Sequence, residues 1–245
     1  MTPARYLSHV QLVTMTLTRL PAGHIKGDVP PLSEAVWAFP LIGAAIGGIA
    51  GCVFWLATLL NLPPLACAFL AIAATALTTG GLHEDGLADV ADGFGGGQTK
   101  DKKLEIMRDS RLGSYGALAL ILVIGITGSA MAQSGTMLAF IAIAALSRTA
   151  MLLPLTLLPP ARKDGLGAAA KSSINGSFWI AMLSSLVLAI IALPLWGPVI
   201  TGLATLSIMT LATRQIGGQT GDVLGATQKI VECSLWLTVA TSVQS

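Results

Sequence analysis

Seven of the twelve acidic residues fall between Glu84 and Asp109, and four of them are packed into Glu84-Asp85-Gly86-Leu87-Ala88-Asp89-Val90-Ala91-Asp92-Gly93. On a helix, Asp85, Asp89 and Asp92 stand at i, i+4 and i+7, on one face. Three like charges stacked so closely repel one another unless a cation neutralises them, and hard oxygen ligands in this number suit Mg2+ or Mn2+ rather than zinc. The residues between them are Gly, Ala, Leu and Val, not the Lys, Ser and Gln of a solvated acidic loop. Glu84, Asp85, Asp89 and Asp92 are therefore the candidate metal ligands, with Asp89 and Asp92 also catalytic candidates. Mg2+ usually takes one or two carboxylates plus substrate phosphate oxygens, so the acids point to a phosphate or diphosphate substrate.

Downstream, Gly95-Gly96-Gly97 precedes Met107-Arg108-Asp109-Ser110-Arg111-Leu112-Gly113-Ser114-Tyr115-Gly116. Arg108 and Arg111 can clamp phosphate oxygens through charge-assisted bonds, with Ser110 between them. Gly113 and Ser114 can present backbone donors where the next helix begins. A second glycine-rich junction reads Arg214-Gln215-Ile216-Gly217-Gly218-Gln219-Thr220-Gly221-Asp222. Its glycines permit close backbone approach, and Asp222 is a further carboxylate ligand or a general base; Arg214 and Thr220 are substrate-contact candidates beside it. The competing reading makes Asp222 a helix cap. The pattern Gly80-Gly81 then Asp85 echoes Gly217-Gly218 then Asp222, as if two helix ends deliver acids to one site. His83 precedes the acids and is a weaker candidate.

The elements that carry these residues are membrane helices. The chain has 245 residues, 53% hydrophobic and 11% charged, with a mean hydropathy of +0.76, and a water-facing surface needs about 25% charge. Its apolar runs lack the alternation of a barrel strand and predict an all-α, polytopic bundle of seven spans, at about 36–60, 63–82, 114–132, 136–158, 178–195, 198–216 and 223–243. The joining segments near 61–64, 132–135 and 195–198 carry no charge. Lys and Arg gather instead in the N-terminal stretch, the 83–113 loop, the 159–177 loop and the turn at 214–222, which the positive-inside bias assigns to the cytoplasm. Residues 1–34 form an interfacial segment, with Tyr6, Val10, Val13, Leu17 and Leu20 at helical spacing. The acidic stretch, 83–113, is expected to be a cytoplasmic helix or loop; if it continues helically from the second span, its aspartates share one face.

Gly43, Gly47 and Gly51 repeat every fourth residue in the first span and read as close helix packing. Arg148 lies mid-span, where a guanidinium costs at least about 2.5 kcal/mol and faces inward, toward an acid or a phosphate; Glu232 follows the same logic, and pairing with Lys229 or Arg148 is its plainer role. Cys52, Cys67 and Cys233 have no metal spacing and read as packing. No phosphate-binding P-loop, esterase-type serine elbow or zinc-protease helix motif occurs.

Four segments in order, Thr18-Arg19-Leu20-Pro21, Glu84 to Gly93, Asp109 to Gly116 and Gly218 to Ala226, make the chain resemble the cobalamin synthase family, the adenosylcobinamide-GDP ribazoletransferases, over essentially its whole length. The resemblance implies one membrane-embedded transferase domain, 1–245, at the bacterial inner membrane with its site facing the cytoplasm. It implies that α-ribazole or its 5'-phosphate displaces GMP from adenosylcobinamide-GDP with Mg2+, and it adds Arg19 to the candidate substrate contacts. In that reaction Asp85, Asp89 and Asp92 hold Mg2+ on the diphosphate, Arg108 and Arg111 steady phosphates, and Asp222 completes the metal site or takes the hydroxyl proton. The partners expected are these small molecules and the bilayer, with no nucleic acid; self-association or contact with other cobalamin-pathway enzymes is compatible with the glycine repeats.

Two alternatives stand beside it. Asp89-Val90-Ala91-Asp92-Gly93 matches the opening of the CDP-alcohol phosphotransferase pattern, but the later aspartates of that pattern are missing. A cation-coupled transporter would place its acids near the bilayer midplane rather than at a boundary.

Overall fold

A computed structural model describes residues 3–162 and 173–243. The part of the charged 159–177 loop between 163 and 172 lies outside the described residues. The chain is all-helical, in the order α1 (Pro3–Leu17), α2 (Leu32–Ala35), a 3-10 turn (Val36–Ala38), α3 (Phe39–Leu59), α4 (Pro64–Thr79), α5 (Leu82–Gly96), α6 (Lys100–Ile106), α7 (Ser114–Ser134), α8 (Met137–Ala150), α9 (Leu152–Leu157), α10 (Gly176–Ala192), α11 (Gly197–Ile216) and α12 (Gly221–Val243).

Local chemistry sets these boundaries. Proline opens α3, α4 and α11, where its missing N–H has no helical partner to lose. Thr136 and Asn175 cap α8 and α10 by accepting from Ala139 and Phe178 N–H at 3.2 and 3.0 Å. Gly80 and Gly217 end α4 and α11 in the left-handed region, with φ of 70° and 75°, where a side chain would be strained.

Each of the seven expected spans is a helix. Among the described residues, however, four helical segments are long and apolar enough to cross a membrane: Leu32–Leu59, Ser114–Ser134, Met137–Leu157 and Gly197–Ile216. Taking α4 and α5 together as one bent span makes five. The count of seven is thus not reached by length and composition, because α10 is short and α12 carries Lys229 and Glu232. Apolar helices in this number make the chain a multi-pass membrane protein.

The acidic stretch does not run on from the second span. Both Gly80 and Gly81 adopt positive φ, the helix breaks, and α5 leaves α4 at 93°. Four acids make α5 a poor membrane crossing, and it packs against α12 and α7 instead.

Small residues hold the bundle together. Gly43, Gly47 and Gly51 press α3 against α8: a Cβ on Gly43 would sit 2.6 Å from the Ala144 carbonyl oxygen, and one on Gly47 would strike the Phe140 carbonyl. Packing this close replaces the hydrophobic effect that lipid does not supply between helices. The core then spreads from Phe140 and Ile143 to Leu235 and Trp236, with the Phe140 and Trp236 rings edge to face at 4.7 Å.

Candidate active site

The site begins where α5 crosses α12. A Cβ on Gly86 would lie 2.8 Å from the Asp222 carbonyl oxygen and 3.2 Å from Gly225 Cα, so two glycines let the helix backbones touch. The crossing faces the exposed Asp85 and half-buried Asp89 on α5 toward Asp222 in the first turn of α12. Gly80 and Gly217 act in parallel here, each ending one helix so that the next starts with its acid at this crossing.

Burial, then repulsion from Asp85, Asp222 and Asp92, raises Asp89 to about 7 against the attraction of Arg162. That crowding is what a divalent cation relieves. Yet among the described residues no three His, Cys, Asp or Glu side chains converge as a metal cage. The four candidate ligands are in fact divided among different tasks.

Glu84 turns away from the face of Asp85 and Asp89. Its Oε1 lies 3.0 Å from Lys229 Nζ, which also binds Glu232 Oε2 at 2.7 Å. Asp92 points to α7, accepting the backbone N–H of Gly113 at 2.8 Å and of Gly116 at 2.9 Å. It caps α7, satisfying donors that would otherwise be orphaned and favouring a negative charge at that helix start. The Gly113 N–H expected to meet a phosphate is engaged by Asp92, whereas Ser114 is exposed.

Arg108, Ser110 and Arg111 are all exposed on the segment before α7. Arg111 forks onto Asp109, Nη2 to Oδ2 at 2.5 Å, and the side-chain bond from Arg111 holds the Asp109 carboxyl down at about 2. Arg214 is exposed near the end of α11. Arg19 donates its backbone N–H to the Thr78 carbonyl at 2.8 Å, while its side chain lies over Gly80. Arg148 is fully buried and donates to the Ala144 carbonyl at 3.1 Å; its Nε and Nη2 have no hydrogen-bond partner, and its charge faces Glu232 and Glu84. It belongs to a buried polar group with Lys229, Glu232 and Gln228, apart from the exposed acids.

Thr220 donates to Asp222 Oδ2 at 3.2 Å and accepts from Val223 N–H at 3.3 Å, closing the cap of α12. Arg162 is the residue sequence reasoning passed over, since it reads as one more cation on a charged loop. Its Nη2 lies 2.5 Å from Asp222 Oδ2. A short parallel bridge brings it there: Gln219 N–H bonds the Pro159 carbonyl and Ala161 N–H bonds the Gln219 carbonyl, both at 2.8 Å.

His83 is buried and its Nε2 is without a partner. Burial, followed by the cations Arg148 and Lys229, lowers its pKa well below the usual histidine range, so the ring is neutral.

Fold and site together define a class: a multi-pass helical membrane protein with carboxylates gathered where α5 crosses α12. The family model described as cobalamin-5-phosphate synthase matches residues 9–240. Among curated relatives, the adenosylcobinamide-GDP ribazoletransferase of Bradyrhizobium diazoefficiens is 42% identical over 96% of this chain and 94% of its own. The proteins of the same name from Sinorhizobium medicae and Mesorhizobium japonicum are 44% and 38% identical, over 89% and 100% of this chain and 90% and 97% of theirs. No solved structure matches the chain. The chain belongs to the cobalamin-5-phosphate synthase family, which sets aside the CDP-alcohol phosphotransferase and transporter alternatives.

Proposed function

We propose that this chain catalyses the reaction its relatives are named for, a late step of cobalamin biosynthesis in which ribazole is joined to adenosylcobinamide-GDP at the cytoplasmic face of a bacterial inner membrane. The observation that carries the reading is the glycine-to-glycine crossing of α5 and α12, which gathers Asp85, Asp89 and Asp222 beside Arg162. A ribose hydroxyl oxygen bonds to the phosphorus nearest the cobinamide arm, the bond from that phosphorus to the bridging oxygen breaks, and GMP leaves with the electron pair. The hydroxyl proton passes to a carboxylate at the crossing or to water.

Such a transfer needs alignment and charge neutralisation more than covalent help. Asp85 and Asp89, with Asp222 opposite, suit a Mg2+ that completes its coordination with substrate phosphate oxygens, and the bound ion would neutralise the diphosphate and acidify the hydroxyl. The crowding that raises Asp89 supports this fit. Arg162 holds Asp222 in place through their ion pair. Asp92 acts at one remove by fixing the start of α7, and Arg108, Ser110 and Arg111 lie on the segment leading into it, where exposed guanidinium groups can meet phosphate. Glu84 ties α5 to α12 through Lys229.

Asp89→Asn tests the reading, because it removes a charge while keeping the shape. Turnover to the joined cobamide and GMP should fall by about a hundred- to a thousandfold, the scale of a lost charge-stabilising group, in protein that inserts and elutes as wild type does. Wild-type turnover in that variant would remove Asp89 from the site.

A further inference from the structure

Asp222 Oδ2 accepts from two donors at once, Arg162 Nη2 at 2.5 Å and the Thr220 hydroxyl at 3.2 Å. The Arg162 and Asp222 side chains are 17% and 21% exposed, so the pair is shielded yet within reach of a solute. Asp222 and Asp85 also line a cavity of about 280 Å3. Backbone contacts fix the place from which Arg162 reaches in. Gln219 N–H bonds the Pro159 carbonyl, and Ala161 N–H bonds the Gln219 carbonyl. Gly218 permits this approach, since a Cβ there would strike the Pro159 carbonyl oxygen. The chain bearing Arg162 is thus pinned beside the turn that leads into α12. Its guanidinium, by contrast, is tied among the described residues through one nitrogen, whereas Arg111 grips Asp109 through both Nε and Nη2. An arginine held by one of its five donors keeps the rest of its fork for another anion.

We propose that Arg162 is a substrate-binding residue that exchanges partners, passing from Asp222 to the phosphate oxygens of the diphosphate as the ion takes up the carboxylates. The inference rests on the function proposed above and adds a residue to its site. A divalent ion and Arg162 compete for Asp222, because two cations on one carboxylate repel at short range. A diphosphate and Asp222 compete for Arg162, whose planar fork matches phosphate oxygens. Each arrival removes the other's competitor. Diphosphate and ion therefore bind more tightly together than apart, and by linkage each helps the other by the same factor. The exchange also keeps Asp222 from holding an ion firmly when no diphosphate is there to use it.

The test uses the full-length protein in lipid nanodiscs at about pH 8, above the raised pKa of Asp89. Mn2+ is the probe of the ion, its binding followed by its paramagnetic resonance signal with and without adenosylcobinamide-GDP, and with no ribazole, so that nothing turns over. In wild type, adenosylcobinamide-GDP should tighten Mn2+ binding by about tenfold or more. Arg162→Gln should bind Mn2+ alone about threefold or more tightly than wild type, its competitor being gone, while the tightening by adenosylcobinamide-GDP shrinks by about fivefold or more. In the full reaction its kcat/KM should fall by about a hundredfold. Arg162→Lys keeps the charge without the fork. It should bind Mn2+ alone within about twofold of wild type, show the smaller tightening, and recover only part of the lost kcat/KM. An arginine that merely orients Asp222 gives the opposite sign: Arg162→Gln would bind Mn2+ alone more weakly, and that result, or an unchanged tightening by adenosylcobinamide-GDP, would overturn the inference. If Arg162→Gln does not fold, Arg162→Lys decides alone, and wild-type tightening in it would overturn the inference. Wild-type protein that releases no GMP in the full reaction would overturn the parent function, an outcome distinct from active protein whose Mn2+ binding ignores adenosylcobinamide-GDP, which would overturn the exchange alone.

Discussion

Asp89 concentrates the electrostatics of the site. Its pKa rises from 3.8 to about 7, chiefly through burial and then through Asp85, Asp222 and Asp92. An aspartate that holds its proton more tightly when folded contributes stability below its unfolded pKa, and that contribution is lost as pH rises through the folded value. With Mg2+ chelated, the melting temperature should therefore fall between about pH 4 and pH 7, and Asp89→Asn should flatten the fall. Adding Mg2+ at about pH 8 should restore several degrees to wild type and little to the variant. Equal pH slopes for the two proteins would show that Asp89 is not crowded. At this scale the sequence was partly readable. The acid spacing puts Asp85, Asp89 and Asp92 on one face, but Asp92, like Glu84 beside them, has partners far along the chain, the backbone of Gly113 and Gly116 and Lys229 respectively. Spacing along one helix carries no information about such partners. Arg162 was hidden for the same reason, because the bridge between Pro160 and Gln219 that aims it exists only in the fold.

Helices and their glycines were more legible. Every expected span is helical, and the Gly43, Gly47 and Gly51 repeat packs α3 onto α8 as its spacing implied. The turn between α4 and α5 is not legible in the sequence: adjacent glycines mark a helix end, but only their positive φ angles swing α5 through 93°. Gly86 gives the sharpest prediction at this scale. The three atoms nearest the added methyl of Gly86→Ala are backbone atoms of Asp222 and Gly225, none of which can rotate aside. The substitution should destabilise by about 1–3 kcal/mol and part the acids, lowering turnover as well as melting temperature. Gly48→Ala is the matched control: nothing lies within 4 Å of its added carbon, so it should be neutral or gain up to about 1 kcal/mol from helix propensity. Thermal melts and turnover on both variants check this, and a harmless Gly86→Ala would deny the close crossing.

The whole molecule separates two polar regions by depth and by task. Glu84, Lys229, Glu232, Gln228 and Arg148 form a buried group whose opposite charges offset one another, and it clamps α5, α8 and α12 together. Asp85, Asp89 and Asp222 are less deeply buried, at the crossing of α5 and α12 beside Arg162. A composition rich in apolar residues made the bundle legible at once, but seven spans could not be counted from it, because a helix such as α12 mixes apolar length with buried charge that is neutralised only by neighbours. We propose that this arrangement transfers a phosphate-linked group using a divalent ion. The measurement that tests it most directly is GMP release by purified protein in nanodiscs, given adenosylcobinamide-GDP and α-ribazole, with Mg2+ present or chelated. GMP and the joined cobamide appearing in equal amounts, and only with the ion, is the predicted result. Equal release under chelation would contradict the role of the acids, and no release from folded protein would contradict the function.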